Sequence, residues 1–252
     1  MYRLGKAVRV LNRITLYTLI GTACGVLGTT GGGMAAYLFK TKNQSILGVV
    51  LDFAAGLMLA VVCFDLLPHA FELASFAEVM AGVAGGIAFV MVVQWLLERG
   101  GKHLDGLALT AVTVAVGIAV HNVPEGLAIG AGLMENRHLG ASLALTMFLH
   151  DIPEGLGIGL PLRIRGKSFW KAAALSLLAG LPTGAGALAG ALAGGISDAV
   201  TAACLSSAGG AMLYLVLGEM MPEAHRMTEG TFTKLSGVLG VIFGIVISVA
   251  LG

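Results

Sequence analysis

Residues 121–126, HNVPEG, and residues 150–155, HDIPEG, repeat the pattern His-[Asn/Asp]-x-Pro-Glu-Gly in two neighbouring apolar stretches. Residues four apart share one face of a helix, so His121 lies one turn from Glu125 and His150 one turn from Glu154. Each pair is a two-point clip for a cation. Asn122 and Asp151 stand three residues before their glutamates, so both glutamates can also face a second ion held by the Asn and the Asp. Imidazole with carboxylate suits borderline first-row metals such as zinc, iron and manganese better than magnesium or calcium. Pro124 and Pro153 remove a backbone donor in mid-helix, free the carbonyls of Val120 and Leu149, and kink the helix at the site. Gly126 and Gly155 leave room for an ion or a neighbouring helix. An acidic residue at a membrane-helix centre costs about 2.5–3.5 kcal/mol, so Glu125, Asp151 and Glu154 together cost on the order of 8 kcal/mol unless something compensates. A divalent cation compensates best.

The elements that position these residues follow from composition. Of 252 residues, 57% are hydrophobic and 12% charged, about half the charge of a soluble domain, so the chain is read as an all-α polytopic membrane protein. A hydrocarbon core of about 30 Å takes about 20 apolar residues per helix. Polar and turn-rich cuts predict eight spans near 14–39, 46–67, 78–98, 107–134, 139–162, 170–194, 198–218 and 235–251. Residues 1–252 then form a single bundle. The N-terminus resembles a signal peptide, but its apolar run continues to Phe39 and is read as a retained first helix. Spans 4 and 5 form an antiparallel hairpin turning near Arg137, which puts both motifs near mid-membrane. One motif on two antiparallel helices implies a pseudo-two-fold axis in the membrane plane, as in secondary transporters built from inverted repeats.

The odd-numbered connections hold ten Lys and Arg residues, the even ones hold Arg137, and the N-terminal tail holds four. The loops place the odd connections in the cytoplasm and both termini outside, and the tail opposes them; we side with the loops, in a cell (inner or plasma) membrane. A net charge of +1 gives no basic field for nucleic acid. Cys24, Cys63 and Cys204 build neither a disulfide framework nor a metal clip. The expected partners are divalent ions and the bilayer, with a homodimer compatible, and no cofactor beyond the transported metal.

Met58, Asp65, His69 and Glu72 form one stripe on an ideal helix. Met58 is placed at the edge of the site, where its thioether favours softer ions, or in simple packing; Asp65 and His69 are placed in an outer funnel. Asp52 points away from this stripe and is expected to pair with a basic loop residue. In span 7, Glu219 and Glu223 either relay ions toward the exit or form a salt bridge with Arg226, and His225 is expected to face the cytoplasm.

These residues resemble the Zrt/Irt-like protein (ZIP) family of divalent metal transporters. The resemblance rests on the paired motif, the span count, the short hairpin and the segment EMMPEAHR at residues 219–226. It implies that His121, Glu125, His150 and Glu154 hold the primary ion, that Asn122 and Asp151 join the glutamates around a second, and that helices 1, 4, 5 and 6 shift against the rest to move cations inward. Several members carry a Glu just before a proline in helix 6, where this chain has Leu181 before Pro182, so the second ion is expected to have one ligand fewer. Two other functions compete with transport of a metal. An intramembrane metal-dependent hydrolase would need a motif such as HExxH or GxSxG, and neither is present. A proton-coupled transporter of an organic substrate would use the carboxylates but leave the paired imidazoles without a role. For a metal transporter, three carboxylates in low dielectric make protons compete with the ion, so uptake is expected to depend on pH.

Overall fold

The computed structural model describes residues 2–38, 44–100, 107–164, 166–194, 196–228 and 231–251. Within them, the side chains of residues 2–8, 44, 47, 97–100, 107–114, 121, 161, 164, 231–234 and 251 are outside the description, and so is that of His121. The described residues form eight helical rods and no strand. They are α1 (Tyr2–Ala35), α2 (Gln44–Ala60, a π-helical segment Val61–Leu66, then Leu67–Leu73), α3 (Phe76–Gly100) and α4 (Leu107–Glu135). There follow α5 (Arg137–Ile164), α6 (Phe169–Ala193), α7 (Asp198–Leu215, a π-helical segment Val216–Met220, then Met221–Met227) and α8 (Thr231–Leu251). Five are long and apolar enough to cross a membrane among the described residues. The protein is an all-α polytopic membrane protein.

Helix starts follow from local caps. Ser168 and Ser197 accept hydrogen bonds from the backbone N–H groups of Lys171 and Val200 at the first turns of α6 and α7. At α3, Ser75 donates from both backbone and hydroxyl to Glu78. The α5–α6 turn is closed by Gly166 at φ +70°, a conformation that favours glycine.

Two rods run further than the polar cuts suggest. α2 continues to Leu73 and α7 to Met227, in each case through a π segment and then a proline, Pro68 or Pro222, in the first turn of the final stretch. Proline ends a helix because it lacks a donor and crowds the preceding turn; where the ladder has already been widened, that penalty is smaller and the rod goes on.

The packing has two-fold character in its contacts. α1, α4, α5 and α6 form a central bundle, flanked by the pair α2 with α8 and the pair α3 with α7. Gly56 of α2 meets the carbonyl oxygen of Gly237 on α8, as Gly210 of α7 meets that of Val83 on α3. Gly240 of α8 meets Phe53 of α2, as Gly86 of α3 meets Ser207 of α7. The first three helices and the last three therefore repeat one packing scheme around the α4–α5 hairpin. Glycine at these crossings lets backbones touch, which is how membrane helices gain contact without a hydrophobic drive between them.

The largest apolar cluster joins α2, α7 and the hairpin-side halves of α4 and α5, including Met58, Val62, Ile129, Leu143, Met147 and Met212. It fills the space between the hairpin and the two motifs.

Candidate metal centre

The motif helices are seated by the glycines that follow their glutamates. A Cβ at Gly126 would overlap the carbonyl oxygen of Thr183 on α6, and one at Gly155 that of Thr29 on α1. The space beside each glutamate is thus taken by a neighbouring backbone. Reciprocally, Gly186 of α6 and Gly32 of α1 meet the carbonyl oxygens of Val123 and Ile152, the residues just before Pro124 and Pro153. The helices run on through both prolines. α1 and α6 thereby clamp the two motifs at one level.

Asn122, Glu125, His150, Asp151 and Glu154 are all buried there. His150 Nε2 lies 3.3 Å from Glu125 Oε1 on the other helix and 3.2 Å from Glu154 Oε1 on its own. Glu125, His150 and Asp151 each bring one ligand atom to within 4.8 Å of the others. Charge-assisted N–H···O bonds run about 2.7–2.9 Å. Two ligands on one tetrahedral zinc, each about 2.0–2.1 Å from it, stand about 3.3–3.4 Å apart. Spacings of 3.2 and 3.3 Å are those of long hydrogen bonds and also match the ligand–ligand edge of such a site.

Hydrogen bonding agrees. The Asn122 amide nitrogen donates to the Ala179 carbonyl oxygen of α6 at 2.8 Å, so its side-chain oxygen is the atom able to accept an ion. That oxygen, both oxygens of Asp151 and Glu154 Oε2 find no hydrogen-bond partner among the described residues. A buried acceptor without a donor costs about 1–3 kcal/mol, a cost that a cation removes. Asp151 sits against Gly28, where a Cβ on α1 would lie 2.6 Å from its own Cβ. His121 stands on α4 one turn before Glu125, with its side chain outside the described residues.

The other candidates are more dispersed. Met58 is buried in the apolar cluster with Met147, one turn before His150 on α5. The expected stripe from Met58 to Glu72 is interrupted, because the π segment Val61–Leu66 turns less per residue than the ideal helix on which the stripe was drawn. Asp65, inside that segment, accepts a hydrogen bond from Ser248 of α8 at 2.7 Å. His69 Nδ1 lies 3.7 Å from Glu72, near the surface. Glu219, in the π segment of α7, accepts from Gln94 of α3. Glu223 pairs with Arg226 at 3.1 Å, which favours the salt-bridge reading for that residue. Leu181 is 44% exposed on the outer face of α6, away from the buried acids. Among the described residues, the ionisable partner of Asp52 is His225, in the last turn of α7, 3.4 Å away. Thr29 and Thr183, which the sequence pattern does not single out, are buried beside the glycines of the motif, their hydroxyls without a hydrogen-bond partner among the described residues. Their only signal in the chain is a threonine in each of two Gly-rich segments.

The family model described as ZIP Zinc transporter matches residues 97–252, a stretch that holds both motifs. The chain belongs to the ZIP family. Among curated members, it is 39% identical to Zinc transporter GufA of Myxococcus xanthus, over 69% of this chain and 70% of that one. It is 31% identical to Zinc transporter ZTP29 of Arabidopsis thaliana, over 79% and 82%. With Zinc transporter ZupT of Akkermansia muciniphila it shares 28% over 96% and 97%. ZIP proteins are transporters, so the hydrolase reading falls and the protein is not an enzyme. The match over nearly the full length of ZupT is consistent with a compact prokaryotic type of ZIP protein.

Proposed function

We propose that this ZIP protein carries divalent transition-metal cations, zinc foremost and also iron, manganese, cobalt or cadmium, across the cell membrane into the cytoplasm. The observation that carries the reading is the buried group of Glu125, His150, Asp151 and Glu154, set on two antiparallel membrane helices at ligand spacing. His121 completes the primary site from α4, and Asn122 and Asp151 hold a second ion against the glutamates, with no ligand from position 181. Met58 lines the edge of the site. Asp65 and His69 serve the outer mouth, and Glu219 and His225 the inner one, where Glu223 is tied to Arg226.

The face carrying the odd-numbered connections holds ten Lys and Arg residues. The opposite face holds the tail's four and Arg137, with Arg13 tied to the Met134 carbonyl oxygen beside the hairpin. This asymmetry supports an odd face in the cytoplasm and both termini outside. The apolar outer face of α3, with Met80, Phe89, Val92 and Trp95 exposed, suits lipid and, in a homodimer, a second copy.

Radiozinc uptake into proteoliposomes, with competing cations and an imposed pH gradient, tests the proposal. Uptake above that of empty vesicles, inhibited by cadmium, cobalt and manganese but not by magnesium, is expected. Uptake indifferent to every competing metal would reject it.

A further inference from the structure

We propose that Asp52 and His225 form a second binding station for the transported divalent cation, at the α2–α7–α8 end of the pathway and separate from the mid-membrane group. The inference rests on the transport reading above. Asp52 is 2% exposed. One of its oxygens is fixed by the Gly237 backbone N–H at 2.9 Å and the Ser236 hydroxyl at 3.5 Å, both from α8. The other lies 3.4 Å from His225 Nε2, whose ring is 46% exposed. A carboxylate oriented by outer hydrogen bonds, facing an imidazole at the ligand–ligand edge of a tetrahedral site and open to water on the imidazole side, is half of a zinc site with room for water ligands.

The internal symmetry argues that the acid is not there for packing. Asp52 sits against Gly237 of α8; at the opposite end, Ser206 of α7 sits against Gly82 of α3 in the equivalent crossing. Ser206 is fully buried and bonds within its own helix, to the Ala203 carbonyl oxygen. The position that answers to His225 in the α2 repeat is Phe71, which stacks on Phe76 instead of facing an acid. A serine and an aromatic ring therefore suffice to pack this crossing. A buried carboxylate costs several kcal/mol more than a serine in such a place, and it stands, with its imidazole, at one end only. An asymmetric station on a symmetric frame fits one-way delivery: the ion leaves the central acids for a weaker pair of ligands at the water boundary. Glu223 and Arg226, near His225 on α7, are engaged with each other.

Purified full-length protein carrying Glu125→Ala and Glu154→Ala, which removes the central ligands, is titrated with zinc and with cobalt(II). One residual site is expected, and the cobalt complex should show the d–d absorption of a nitrogen- and oxygen-ligated ion. Adding Asp52→Ser, which installs the residue used by the equivalent crossing, or His225→Ala should weaken that site by about tenfold or more. The serine variant should keep its Tm. If Asp52→Ser unfolds the protein, His225→Ala, at a half-exposed position, gives the same test. Residual binding that neither substitution changes, or no residual site in the double variant, would overturn the station. Unaltered tight binding after loss of Glu125 and Glu154 would instead overturn the central site, so the two failures are distinguishable.

Discussion

Glu125→Ala is expected to reduce zinc uptake about 100-fold or more, a larger loss than any substitution outside the two motifs. Glu125 stands on α4, yet its oxygen faces His150 on α5 and shares a ligand group with Asp151. In the proposed site it is the charged ligand that α4 contributes. Removing it leaves α4 with His121 and Asn122 alone, both neutral as ligands, facing His150, Asp151 and Glu154 of α5. Glu125→Gln should fail nearly as badly, because the amide keeps the shape but loses the charge that offsets a dication. Initial rates of radiozinc uptake, normalised to folded protein in the vesicles, check this. A rate within twofold of the unaltered protein would contradict the assignment of Glu125.

Gly155→Val is expected to destabilise the protein by about 3 kcal/mol or more and to abolish uptake with it. Any Cβ at this position overlaps the Thr29 carbonyl oxygen, and an oxygen in the backbone of α1 cannot swing aside as a flexible side chain would. The only relief is to part α1 from α5, which also withdraws Gly28 from Asp151. Gly157, two residues on, provides the control, because nothing lies within 4 Å of a Cβ built there. Gly157→Ala should be neutral or stabilising by about 0.5–1 kcal/mol, the usual gain for removing glycine from a helix. Thermal unfolding in detergent separates the two, and equal Tm values for both variants would refute the close-approach argument.

The part of this molecule legible in its sequence is the part governed by local periodicity. Apolar run length marks the spans, and the four-residue step from His to Glu puts both on one face whatever the neighbours do. The glycines after the glutamates could be read as space, though not as space for the backbones of α1 and α6. What stayed hidden depends on contacts distant in the chain or on the hydrogen-bond ladder itself. Nothing in the composition of residues 61–66 announces a π segment, so a stripe from Met58 to Glu72 presumes a helix more regular than the real one. The helical pattern sets Asp52 apart from the central stripe but does not name His225 beside it, because that contact forms only when α7 and α8 pack beside α2. Leu181 reads in the sequence as a missing ligand; its side chain points outward from α6, while Ala179 and Thr183 face the motif.

The most direct measurement is the zinc K-edge X-ray absorption spectrum of protein loaded with one equivalent of zinc. The account predicts a shell dominated by nitrogen and oxygen ligands at about 2.0–2.1 Å, with imidazole scattering that weakens when His150 becomes Ala. A shell dominated by thiolate sulfur at about 2.3 Å, or a spectrum unchanged after Glu125, His150 and Glu154 are all replaced by Ala, would contradict it.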